Sequence, residues 1–183
     1  MKRYVAQELN RFLLAIDDAL LKPITVIVIG GSAATIAYGV DYATQDIDTW
    51  NKIQNELQIA IERASTATNL HIPVTQSAIA DAPYDFETRL IRVLPELKRL
   101  VVLVPEQHDL VLMKIVRCYE HDLQTIEAIH QRNPLYLSVL LERYENEMGA
   151  AIIDPKRLLT NFLVMVERIF PQELPKVEQR LLK

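Results

Sequence analysis

The sequence predicts an α+β fold: a mixed sheet flanked by helices, with a C-terminal helical extension. Three observations carry this. A largely β-branched run, Ile24-Thr25-Val26-Ile27-Val28-Ile29, ends in Gly30-Gly31. Short strand-like segments then alternate with helix-periodic ones. Beyond Pro105 only helix-periodic sequence remains. The expected division is a core over residues 1–130 and a helical region over residues 131–183.

Taken in order, Val5, Leu9, Phe12, Leu13, Ile16 and Leu20 recur at helical spacing, which predicts an amphipathic helix from Tyr4 to Leu21. The run Ile24 to Ile29 suits a strand buried on both faces. Ser32 to Tyr38 reads as a short helix closed by Gly39. Asp46 to Trp50 alternates polar and apolar, as a strand does. Asn51 is placed to cap a helix running to Ala64. Ser65 to Asn69 reads as a loop, and His71 to Pro83 has no clear period. Asp85–Leu94 and Lys98–Val104 read as two strands. Pro105 opens one long helix, Glu106 to about His130, and Asn133-Pro134 and Asp154-Pro155 each look like a cap and a helix-starting proline.

A chain of 183 residues, half of them hydrophobic, can bury a sizeable core. Nine prolines and four glycines are too few for a disordered chain. A net charge of −4 argues against a generic nucleic-acid coat. The single cysteine, Cys118, excludes a disulfide framework or a cysteine zinc cluster within the chain, and points to a reducing, cytoplasmic setting. No signal peptide fits the charged opening residues, and the apolar stretch Ile24–Ala37 is too short to span a membrane.

The chemistry concentrates in Ile29-Gly30-Gly31-Ser32 and Thr44-Gln45-Asp46-Ile47-Asp48. Glycines let backbone bend sharply and approach a ligand closely. Ser32 adds a hydroxyl where the next helix begins, and helix N-termini hold phosphate. Residues i and i+2 of a strand share a face, so Asp46 and Asp48 would lie roughly 6–7 Å apart along it. Two such carboxylates are stable together when solvated or when a cation sits between them. Their hard oxygens suit Mg²⁺ bridged to substrate phosphates. Without a ligand, the same features describe a tight turn and an edge strand with solvated aspartates.

These two segments resemble the signature of the nucleotidyltransferase superfamily, and in particular small bacterial nucleotidyltransferase-like proteins related to abortive-infection toxins. The resemblance covers about residues 1–130. It implies that Gly30, Gly31 and Ser32 cradle a triphosphate and that Asp46 and Asp48 hold Mg²⁺ and are catalytic. It implies a later helix, Leu110 to Asp122, whose Lys114 and Arg117 bind nucleotide, and a third carboxylate, with Asp85 and Glu87 as candidate metal ligands and Asp81 as another. Tyr42 stands where relatives often carry arginine, and Thr125-Ile126 where they often carry Asp-Ile. The implied partners are an NTP, a tRNA or protein acceptor, and a cognate antitoxin or toxin, with no membrane and with oligomerisation open. Two rivals stay open: a catalytically degenerate nucleotide binder on the same fold, and an interaction module acting through the C-terminal helices.

The remaining candidates have plainer readings. Lys114, Arg117 and His121 share one side of the expected long helix, facing either a triphosphate or solvent. Asp122 either orients them or is a surface carboxylate. Cys118 and Trp50 read as packing residues. Arg89, Arg92, Lys98 and Arg99 are diluted by Glu87 and Glu96 and read as a solvated hairpin.

Overall fold

The computed structural model describes residues 2–41, 44–77 and 81–182. It is α+β, with one five-stranded mixed sheet and eight α-helices among the described residues. The chain divides into two compact units, Met1–Ala80 with Arg89–Glu106, and Asp81–Thr88 with Gln107–Lys183. In this partition the helices that follow Pro105 all go with the C-terminal segment.

The first unit holds α1 (Ala6–Ala19), β1 (Ile24–Ile29), α2 (Gly30–Tyr38), β2 (Ile47–Thr49), α3 (Asn55–Thr68), β3 (Val74–Gln76), β4 (Ile91–Val93) and β5 (Leu100–Val104). The strand order is β3-β2-β1-β5-β4. β1 runs antiparallel to β2 and parallel to β5, while β2–β3 is parallel and β4–β5 antiparallel. On one face of the sheet, Val26, Val28, Ile47 and Leu100 meet Leu13 and Ile16 of α1 and Leu57 and Ile61 of α3. Burying each such side chain contributes about 1.5–3 kcal/mol.

Several elements differ from the sequence expectation. β1 is not buried on both faces throughout: on its second face Thr25 is exposed and Ile27 half-buried, while Ile29 is buried. α2 starts at Gly30, two residues earlier than expected, and ends as expected at a left-handed Gly39. α3 starts at Asn55 and runs through Ser65 to Thr68, and Asn51 does not cap it. Instead the Asn51 amide serves β1: Ile27 N–H donates to its Oδ1 at 2.8 Å, and its Nδ2 donates to Thr25 O at 2.8 Å. The strand expected from Asp85 begins only at Ile91, after a 3-10 turn over Phe86–Arg89.

One buried carboxylate ties α1 to the sheet. Asp17 accepts N–H bonds from Lys98, Arg99 and Leu100 at 3.0, 2.5 and 2.6 Å. It satisfies the donors that open β5. Burial alone would raise its pKa, but the three N–H bonds and the nearby Arg99 charge outweigh this and hold it below the ordinary value of 3.8.

The second unit holds α4 (Gln107–Ile115), α5 (Glu120–Arg132), α6 (Leu137–Glu147), α7 (Pro155–Ile169) and α8 (Leu174–Leu181). The single long helix expected after Pro105 is two helices, broken at Val116–Tyr119 with Cys118 at φ 53°. The break is held by side chains. Asn161 of α7 donates to the carbonyls of Ile115 and Val116 at 2.7 and 3.2 Å, and Tyr119 N–H donates to Asp122 at 3.3 Å. Asn133-Pro134 does not start a helix; α6 begins at Leu137. Asp154-Pro155 does, with Arg157 N–H donating to the Asp154 carboxylate at 3.0 Å. α8 was not expected from the sequence. No helix among the described residues is long and apolar enough to cross a membrane.

Replacing Asp17 by Asn swaps a charged triple acceptor for a neutral group that offers its own donors to N–H groups. Asp17→Asn is expected to cost about 2 kcal/mol of unfolding free energy at neutral pH, read from the urea midpoint. The native carboxyl titrates below its ordinary value, so its stabilisation is complete above about pH 4–5 and fades as pH falls. The gap between wild type and Asp17→Asn should therefore narrow in acid.

Candidate functional site

β1 leaves the sheet at Ile29, and α2 starts at the next residue. Gly30 makes that corner with φ 69°, a left-handed backbone that disfavours any side chain. The antiparallel register sets Asp48 opposite Ile29. Because Ile47 and Thr49 point under α1 and α3, Asp48 points to the other face. There its carboxylate lies against the corner: a Cβ built on Gly30 would stand 3.2 Å from Asp48 Oδ2. A Cβ on Gly31 would meet Thr44 Oγ1 at 3.3 Å.

The segment carrying Thr44 is fixed on both sides. Tyr4 and Thr44 exchange backbone hydrogen bonds of 2.6 and 3.0 Å, and Tyr4 is buried with its hydroxyl donating to His71 O. Thr44 Oγ1 donates to Asp46 O at 3.1 Å. Asp46 itself stands one residue before β2, so the two aspartates are not both strand residues as expected. Both are half-buried. Tyr42 lies outside the described residues.

The Ser32 hydroxyl is turned inward: the residue is 1% exposed and its hydroxyl donates to Ile29 O at 3.1 Å. What it offers an anion is its backbone N–H, in the first turn of α2, where N–H groups lack intrahelical partners. Thr75 was missed by sequence reading because the stretch around it has no clear period. It pairs with Asp48 across β2–β3, and its hydroxyl donates to Asp48 Oδ1 at 3.2 Å.

Across the five strands, Asp48 is the one acidic residue. β3 offers Val74, Thr75 and Gln76, and β4 offers Ile91, Arg92 and Val93. Asp85 and Glu87 belong to the second unit, on the 3-10 turn and the residue before it, and both are exposed. Asp85 N–H donates to Glu147 at 3.2 Å. Asp81, also there, accepts from Ile152 and Ile153 N–H. Among the described residues no group of three or more histidine, cysteine, aspartate or glutamate side chains is arranged to hold a metal ion. The groups that do gather, a carboxylate oxygen over a glycine beside a helix N-terminus, have the hard-oxygen chemistry that would suit a divalent cation such as Mg²⁺.

Lys114 and Arg117 also belong to the second unit, Lys114 on α4 and Arg117 in the break that follows it. Lys114 is buried and bonds the fully buried Asp122 at 3.4 Å; Arg117, more than half exposed, bonds the same oxygen at 2.9 Å. His121 stands 3.7 Å from it. Asp122 is thus a shared anchor. Cys118, beside it, is pushed up in pKa by burial and then by the Asp122 charge, which disfavours its thiolate.

A protein family described as "nucleotidyltransferase of unknown function (DUF6036)" matches residues 4–169. No curated protein and no solved structure matches the chain.

Two stability measurements probe this geometry. Gly30→Ala is expected to cost about 1 kcal/mol for its left-handed backbone alone, and more from the Asp48 contact. Gly31→Ala meets a hydroxyl that can rotate away and should cost less; equal urea midpoints would contradict the close approach. Asp122→Ala removes the carboxylate paired with the buried Lys114 ammonium and should cost about 3–5 kcal/mol. Adding Lys114→Met to that variant should restore most of the loss.

Proposed function

The chain belongs to this family of nucleotidyltransferases, and on that premise we propose that it binds an NTP with Mg²⁺ at the Gly30–Asp48 corner and transfers the nucleotidyl group to a hydroxyl. The observation that carries the reading is the Asp48 carboxylate set against Gly30 at the start of α2. Phosphate oxygens would accept from the free N–H groups of the first α2 turn. Asp46 and Asp48 would hold the cation, which when bound neutralises phosphate charge. In the transfer, the acceptor oxygen forms a bond to the α-phosphorus, the bond to the β-phosphate breaks, and pyrophosphate leaves. The hydroxyl proton is released. This chain's residues contribute mainly by positioning and by N–H donors aimed at the phosphates.

A second reading, nucleotide binding without transfer, is favoured by one observation: the sheet carries no acidic residue beside Asp48. A tRNA or protein acceptor, and a toxin or antitoxin partner, enter only through the resemblance of the two motifs.

Calorimetric titration of wild type and Asp48→Ala with an NTP, in Mg²⁺ or in EDTA, tests the site. Wild type is expected to bind in Mg²⁺ and to lose most affinity in EDTA. Asp48→Ala should bind weakly in both, because a bare triphosphate beside Asp46 is still repelled. A like-charge pair at 4 Å costs about 1 kcal/mol in water and several-fold more when partly buried. Equal affinity in all four conditions would refute the metal role. Incubation with each labelled NTP and total tRNA or cell extract then separates transfer from binding alone.

A further inference from the structure

We infer that Thr75 is a positioning residue for Asp48, and that the pair makes a site for one divalent cation rather than two. The inference rests on the Mg²⁺ reading proposed above. The two oxygens of Asp48 have different neighbours. Oδ1 accepts the Thr75 hydroxyl at 3.2 Å, from the residue paired with Asp48 across β2–β3. Oδ2 lies on the other side, 3.2 Å from where a Cβ of residue 30 would stand. With Oδ1 engaged by Thr75, Oδ2 is the oxygen left facing the corner where α2 begins. Partners that orient a metal-ligating group in this way act on affinity through geometry.

The Thr75 hydroxyl bonds the Asp48 carboxylate at the sheet surface rather than in the core. Thr75 is exposed, and β3 is an edge strand. The same position decides how many cations fit. A second ion beside the first needs further carboxylate oxygens close by. Residue 75 is the strand position next to Asp48, and it carries a neutral hydroxyl. Asp46 and Asp48 together offset the charge of one Mg²⁺.

The test is titration of the protein with Mn²⁺, following the free ion by electron paramagnetic resonance. Wild type is expected to bind one equivalent. Thr75→Ser keeps the hydroxyl and should match wild type. Thr75→Val keeps the β-branched shape that suits a strand but loses the donor, and its affinity should fall about tenfold. Thr75→Asp adds a carboxylate and should bind more tightly than wild type. Because residue 75 is exposed, the urea midpoints of these variants should stay close to wild type, so a change in Mn²⁺ binding is not a change in folding. Thr75→Val binding like wild type, or two equivalents in wild type, would overturn the inference while leaving the Mg²⁺ reading intact, provided Asp48→Ala abolishes binding. No binding to wild type, or binding unaffected by Asp48→Ala, would overturn both.

Discussion

Asp48 and residue 30 stand as neighbours because residue 30 has no Cβ. Any side chain there would have to start from a left-handed backbone and meet Asp48 Oδ2 at 3.2 Å. The approach is imposed by register: with Ile29 opposite Asp48, the carboxylate leaves the sheet at the level where the chain turns into α2. A carboxylate beside a helix N-terminus is favoured by the dipole by about 0.3–1 kcal/mol at an exposed site. The same N–H groups are what a phosphate would use. A phosphate placed there would compete with the carboxylate for one corner unless a cation lay between them.

The scaffold that fixes this corner uses side chains in place of backbone partners where strands run out. β2 is three residues long, yet β1 does not lose its ladder beyond it. The Asn51 amide takes over, accepting from Ile27 N–H and donating to Thr25 O, and Trp50 N–H donates to Ile27 O. At the opposite side of β1, Asp17 performs the same service for β5 from a helix. In both cases a short polar group satisfies backbone that would otherwise be stranded, at about 1 kcal/mol or more per bond. β1 runs to Ile29, and the turn falls on Gly30 with its left-handed backbone.

What could be read in advance follows from how local each cause is. The β1 run, the Gly30-Gly31 corner and the Gly39 stop depend on neighbours in sequence and were legible. Asp154-Pro155 was legible for the same reason, since its cap bond spans three residues. Asn133-Pro134 has the same letters, but Leu135 N–H donates to His130 instead and the helix starts later. The break between α4 and α5 was missed because half of its cause, Asn161, lies more than forty residues away. The other half was local: Asp122 caps the Tyr119 N–H three residues before it, a signal masked by unbroken apolar periodicity. Thr75 was invisible for a third reason. Its importance comes from a parallel pairing with β2, and nothing in His71 to Pro83 announces a strand.

Charge then decides what such a site can do. A nucleotidyl transfer develops negative charge on the leaving pyrophosphate while the acceptor hydroxyl must lose a proton. Two cations can serve both ends of the reaction, but each needs carboxylate oxygens around it. Here the strands supply Asp48 alone, with Asp46 just before β2 and a hydroxyl at Thr75. One cation placed there would serve the phosphates, because the corner beside it offers N–H donors that suit anions. The acceptor end would then need its proton taken by the phosphate itself or by a base outside this corner. Binding of the triphosphate therefore asks less of these residues than transfer does. Any acceptor that reacts here must bring a hydroxyl already easy to deprotonate or be held close enough that proximity replaces the second ion.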